Sequence, residues 1–126
     1  MAARRITIRV TVNFEANLDA IEAFLIKARS GRAFNALIDD LTEHVIPALE
    51  SHPDIGQPFL ARPVYSVEVR QRLKLLQRQL GSGILREYLA GDYLILYAVR
   101  NTIVDLLAIK HHRQLSFNLS AYWRSR

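Results

Sequence analysis

Hydrophobic and polar positions alternate from the start of the chain. Ile6, Ile8, Val10, Val12 and Phe14 interleave with Thr7, Arg9, Thr11 and Asn13. That two-residue period predicts a half-buried strand over this stretch. The period then lengthens. Asn17-Leu18-Asp19-Ala20 reads as a helix start with Asn17 or Asp19 as the cap. Leu18, Ile21, Phe24, Leu25 and Ala28 fall on one helical face, and Ser30-Gly31 is expected to end the helix. A second helix starts near Arg32, with an apolar stripe of Phe34, Leu37, Ile38, Leu41, Val45 and Leu49. Pro47 has no N–H to donate and crowds the preceding turn, so it should kink or end this helix. The pair makes an αα-hairpin.

Ser51 to Pro63 holds three of the four prolines and Gly56, which predicts an irregular surface connection. Ser66 can cap a third helix, with Val69, Leu73, Leu76 and Leu80 on one side, before Gly81-Ser82-Gly83 stops it. Three short strands follow. Ile84–Leu89, Tyr93–Val99 and Thr102–Ile109 are joined by Ala90-Gly91-Asp92 and by Arg100-Asn101. Turn residues at that spacing predict an antiparallel meander. Tyr93, Ile95, Tyr97 and Val99 alternate with Leu94, Leu96 and Ala98, so both registers of the middle strand are apolar. A strand of that kind belongs in the middle of a sheet, covered on both faces. Residues 114–126 are expected to form an arm or short helix lying on the core. The order β-α-α-(α)-β-β-β predicts an α+β fold, with the helical hairpin packed on one face of a small, mainly antiparallel sheet.

At 126 residues the chain fits one domain, residues 1–126, with no need of staples. It has no cysteine, which excludes disulfides and thiolate zinc sites and makes a reducing compartment the simplest home. Met1-Ala2-Ala3-Arg4-Arg5 leads into the first strand without an apolar signal core, and no apolar run reaches the roughly 20 residues of a membrane span. A cytoplasmic protein without a membrane partner is expected. The net charge of +5 is uneven: residues 1–61 carry 6 Lys/Arg and 8 Asp/Glu, whereas residues 62–126 carry 11 and 4. The positive half favours an acidic partner, either nucleic acid or an acidic protein segment.

The sequence has no phosphate-binding loop, dinucleotide glycine motif or nucleophile elbow, and no cofactor is expected. His111 and His112 are adjacent and would point to opposite faces of a strand. His44 and His52 are eight apart, so no metal site is expected either. The cations near the meander are the candidate chemistry: Arg86, Arg100, Lys110, His111 and Arg113 are expected to converge at the sheet edge. Arg86 and Arg113 would suit a phosphate, and His111 or His112 a proton transfer near neutral pH. Tyr93 and Tyr97 are candidates for stacking on bases, against the commoner role of aromatic residues as core.

A strand, an αα-hairpin and a meander carrying Leu85-Arg86-Glu87-Tyr88, Gly91-Asp92-Tyr93-Leu94-Ile95-Leu96-Tyr97 and Ile109-Lys110-His111-His112-Arg113-Gln114 resemble the RelE/ParE superfamily of bacterial type II toxins, also known as plasmid stabilisation proteins. The resemblance covers residues 6–114 and is sharpest over 84–114. It implies a toxin neutralised by a cognate antitoxin, whose acidic, partly disordered segment wraps the toxin in a hetero-oligomer; a homodimer is the other assembly. Within the superfamily, ParE-like members poison DNA gyrase, and RelE-like members cut mRNA on the ribosome. RelE-like members commonly carry a basic residue after the tyrosine that opens the middle strand. Here Tyr93 is followed by Leu94, and Arg86 is the one cation of the strand before it. The Arg-Glu pair and the His-Arg-Gln ending look more like ParE. The resemblance therefore implies a ParE-like toxin in which Arg86, Lys110, His111 and Arg113 meet the target or antitoxin. A RelE-like endoribonuclease and a non-toxic binding module of the same fold are the alternatives. Residues 64–80 look like an inserted helix.

Overall fold

The first strand gives way to a helix earlier than the alternation predicts. In the computed structural model, which describes residues 5–58, 78 and 83–111, β1 covers only Thr7–Val10, and α1 runs over Val12–Lys27. Thr11 is the cap, because its hydroxyl oxygen accepts the N–H of Phe14 at 3.2 Å. Val12 and Phe14 are thus helical. Phe14 is buried and Val12 is 72% exposed, the reverse of two residues on one strand face. Asn17 is not a cap but sits inside α1.

The early start has a function in the sheet. β1 ends opposite Leu106, while β5 (Ile103–His111) continues past it. The backbone of β5 beyond that point meets polar side chains from the start of α1 instead of a strand. The Thr11 hydroxyl donates to the Leu106 carbonyl at 2.7 Å, Asn13 Nδ2 donates to the Leu107 carbonyl at 2.9 Å, and Asn17 Oδ1 accepts the Ile109 N–H at 3.0 Å. Backbone groups that burial would otherwise leave unpaired are satisfied in this way.

Helix α1 lays Phe14, Leu18 and Ile21 against the core; Phe24, expected on the same face, is 70% exposed. The helix ends at Arg29, not at Ser30-Gly31. Arg29 takes φ 58°, its N–H donates to the Ile26 carbonyl and the Ser30 N–H to the Leu25 carbonyl, while Gly31 opens the next helix. This is a Schellman ending with arginine in the left-handed position usually held by glycine. Left-handed strain of about 1–2 kcal/mol should outweigh the extra chain entropy of glycine, so Arg29→Gly is expected to stabilise the fold by about 0.5–1 kcal/mol. A higher urea midpoint at unchanged slope would show it; a lower midpoint would mean that the arginine side chain contributes more than its strain.

Helix α2 (Gly31–Asp40) passes into a π turn, Leu41–Val45, and then α3, Ile46–Ser51. Leu37, Leu41, Val45 and Leu49 are buried along it, as the stripe predicts. Residues four apart drift by about 40° per step on an α-helix. The wider π turn takes up that drift and keeps the stripe on one side. It also sits just before Pro47, where a donor is missing, so the helix widens there and continues.

Among the described residues the sheet has five strands in the order β1-β5-β4-β3-β2. β2 (Gln57–Pro58) lies within the stretch expected to be irregular and borders β3, Ile84–Ala90. β4 is Tyr93–Arg100, and the links are Gly91-Asp92 and Asn101-Thr102, with φ of 58° at Gly91 and 55° at Asn101. β1 runs parallel to β5, and the other pairs are antiparallel. One face packs Ile95, Tyr97, Val104, Leu106 and Ile109 against Phe14, Leu37, Leu41, Val45 and Leu49. On the other face Leu85, Leu94, Leu96, Ala98 and Ala108 are buried too, so β4 is covered on both sides as its two apolar registers predict. No helix among the described residues is long and apolar enough to cross a membrane. The helix expected over 64–80, apart from the helical Arg78, and the arm over 114–126 lie outside the described residues.

Candidate binding surface

Arg86 and Tyr97 are neighbours across β3 and β4. Strand alternation puts both on the face that carries the helices. Both side chains turn inward to the loop before β2. Arg86 Nη1 donates to the Gly56 carbonyl at 2.6 Å and to the Asp54 carbonyl at 3.3 Å. The Tyr97 hydroxyl donates to the Pro53 carbonyl at 2.9 Å and accepts the Gly56 N–H at 2.8 Å. Gly56 is required here: a Cβ would press on the Glu87 carbonyl oxygen and lie 2.9 Å from the Tyr97 ring. Burial pushes the Tyr97 phenol above its ordinary pKa. Tyr97 is fully buried, which leaves no ring face for a base and corrects its expected role in binding. Arg86 holds a loop in place where a phosphate contact was expected.

Tyr93 and His111 sit at the far end of the same face. Register pairs them, and their rings meet edge to face at 5.3 Å and 79°. Both are half-buried. Burial, and then the charge of Asp92, raise the Tyr93 pKa. Lys110 points to the opposite face. From register, the backbones of Arg86 and His111 lie about 16 Å apart, four residues along and two strands across. His112 and Arg113 follow directly and lie outside the described residues.

Arg100 closes the other end of β4, roughly 23 Å along β5 from Lys110. The cations therefore do not gather at one edge: Lys110 and His111 share one end of the sheet, Arg100 the other, and Arg86 the middle. Arg100 belongs to a cluster the sequence did not flag. Asp105 is buried on the face away from the helices. Arg9 Nε reaches its Oδ1 at 2.8 Å and Arg9 Nη2 its Oδ2 at 3.4 Å, while Arg100 Nη2 stands 3.7 Å from Oδ2. The hydrogen bond to Asp105, then its charge, raise the Arg9 pKa. A signal was present: Asp105 is a lone carboxylate in the apolar run Ile103–Ile109, and a buried charge needs a partner. What hid the partner was the parallel register of β1 with β5, across 96 residues of chain.

A two-helix hairpin on one face of a five-stranded mixed sheet, with a basic run in the sequence after β5, places the molecule among small α+β proteins. Residues 8–116 match the family model described as ParE toxin of type II toxin-antitoxin system, parDE. The chain belongs to that family. Among solved structures it is similar to one titled "Chromosomal ParDE TA system from P. aeruginosa", with a TM-score of 0.56 and 14% identity, covering 86% of this chain and 98% of the other. At that identity the likeness speaks for the fold. A search of curated proteins gave no match.

Proposed function

We propose that this chain is a cytoplasmic toxin that acts on DNA gyrase and is held inactive by a cognate antitoxin. The observation that carries the reading is the match to the ParE toxin family over residues 8–116. The similar structure belongs to a toxin–antitoxin system, which supports a protein partner for this chain as well. The geometry weighs against the endoribonuclease alternative: Arg86 Nη1 is engaged by the loop carbonyls of Asp54 and Gly56, well away from His111. The contact surface in this reading is the basic run Lys110-His111-His112-Arg113. The test is induced expression in a bacterial host, with a DNA-damage reporter and total RNA followed in one culture. Growth arrest with reporter induction and intact mRNA is expected. Cleaved mRNA with a silent reporter would make the protein a ribonuclease. Unchanged growth would leave a binding module of this fold.

A further inference from the structure

Three arginines gather at one end of the sheet, on the face away from the helices. Ile6 and Ile8 pack against the core, so strand alternation turns Arg5, Thr7 and Arg9 to the opposite face. All three are exposed. Arg9 stands opposite Asp105 of β5. Arg100 comes to the same carboxylate from the end of β4, at 3.7 Å from Oδ2. The buried Asp105 thus draws guanidinium groups from two strands to one point.

It does not saturate them. Arg9 gives Asp105 its Nε and Nη2, which leaves the Nη1 donors. Arg100 makes an ion pair at a distance too long for a hydrogen bond, so its donors are open among the described residues as well. Arg5 and the Thr7 hydroxyl have no polar partner among the described residues. Arg5 to Arg9 spans about 13 Å of extended chain. Along it three positive charges stand against one negative.

The make-up of the patch names its ligand. Ile103, half-buried opposite Thr7 and Arg100, is the apolar side chain among them, and there is no aromatic one. A protein interface would be anchored by large apolar or aromatic side chains, and unpaired bases would need a ring to stack on. Guanidinium forks beside a hydroxyl suit phosphate oxygens, which position a duplex without reading its bases.

We propose that Arg5, Thr7, Arg9 and Arg100 bind the phosphodiester backbone of a nucleic-acid duplex, independently of its sequence. The site is roughly 23 Å along β5 from Lys110 and does not depend on gyrase as the target.

The test is fluorescence anisotropy of the purified full chain with a labelled DNA duplex of about 20 base pairs. A Kd of about 10⁻⁴ to 10⁻⁶ M is expected at physiological salt, with log K falling against log salt by about 0.9 per phosphate held. Arg5→Gln should flatten that slope by about 0.9, and Arg5→Gln/Arg9→Gln by about 1.8. Arg5 lies before β1 and has no polar partner among the described residues, so the single variant keeps the fold. A duplex RNA of the same length separates the sources: binding of either duplex, or of both, supports the proposal and says which backbone is held. No binding to either overturns it. A tenfold preference between two unrelated sequences, or tighter binding of the single strand, overturns it too. So does a slope that Lys110→Gln flattens while Arg5→Gln/Arg9→Gln does not, which would give the duplex to the other end of the sheet. Polyglutamate that displaces the duplex at lower charge concentration than unlabelled duplex would make the patch a site for acidic protein and overturn it as well. Growth arrest by a chain that binds no duplex sinks this proposal alone, and duplex binding by a chain that leaves growth unchanged sinks the toxin reading alone.

Discussion

Tyr97→Ala is expected to destabilise the protein by about 3–5 kcal/mol, as other fully buried aromatic residues do when truncated. The ring sits at the centre of β4 with no exposed surface, and its loss would leave a cavity between the sheet and the helices. The hydroxyl adds a separate contribution, because Tyr97→Phe keeps the ring but strips the Pro53 carbonyl of a donor and the Gly56 N–H of an acceptor. Leaving such buried groups unpaired costs about 1–3 kcal/mol. Urea unfolding of the two variants separates the terms. A Tyr97→Phe midpoint equal to the parent would mean that the loop carries no stability through this bond. Alkaline pH gives an independent check. Folding raises the Tyr97 pKa, so the phenol contributes its full stability below the unfolded value of about 10, and that stability is lost as pH climbs through the folded value. Tyr97 and Tyr93 should ionise above the ordinary tyrosine range in an absorbance titration, and Tyr97→Phe should remove part of the alkaline loss.

Legibility of the fold followed sequence separation. The meander was legible because each hairpin is local: apolar runs on either side of Gly91-Asp92 and of Asn101 leave little choice of register. The Leu37–Leu49 stripe was legible because it repeats on one continuous helical run. The start of α1 was not. Period-two and helical patterns agree over a few residues, and Thr11 is fixed as the cap partly by Leu106, 95 residues away. Arg29 was passed over because Gly31 is the residue that ordinarily takes a positive φ. The candidate site divides in the same way. The basic run at the end of β5 stands where its position in the strand puts it. Arg86 was read as an outward contact because nothing in the sequence says that the Pro53–Gly56 loop folds back over β3. Asp105 was visible as an oddity, but its arginines come from β1 and from the far side of a turn.

That arginine cluster sets up the second large effect. Removing Arg9 alone should have only a small effect, because its side chain is 52% exposed and solvent screens the pair. Arg100 alone should cost no more, at 3.7 Å and 36% exposure. Removing both is a different case. Asp105 would then be a carboxylate with 9% of its side chain exposed and neither of its arginines. An orphaned buried charge costs about 3–5 kcal/mol, so a loss of about that size is expected for Arg9→Ala/Arg100→Ala. The double variant should lose more than the sum of the singles. Adding Asp105→Asn should restore most of the loss, since the amide keeps the shape and drops the charge. If the singles sum to the double, and Asp105→Asn restores nothing, the carboxylate is already solvated and the cluster does not tie β1 to β5.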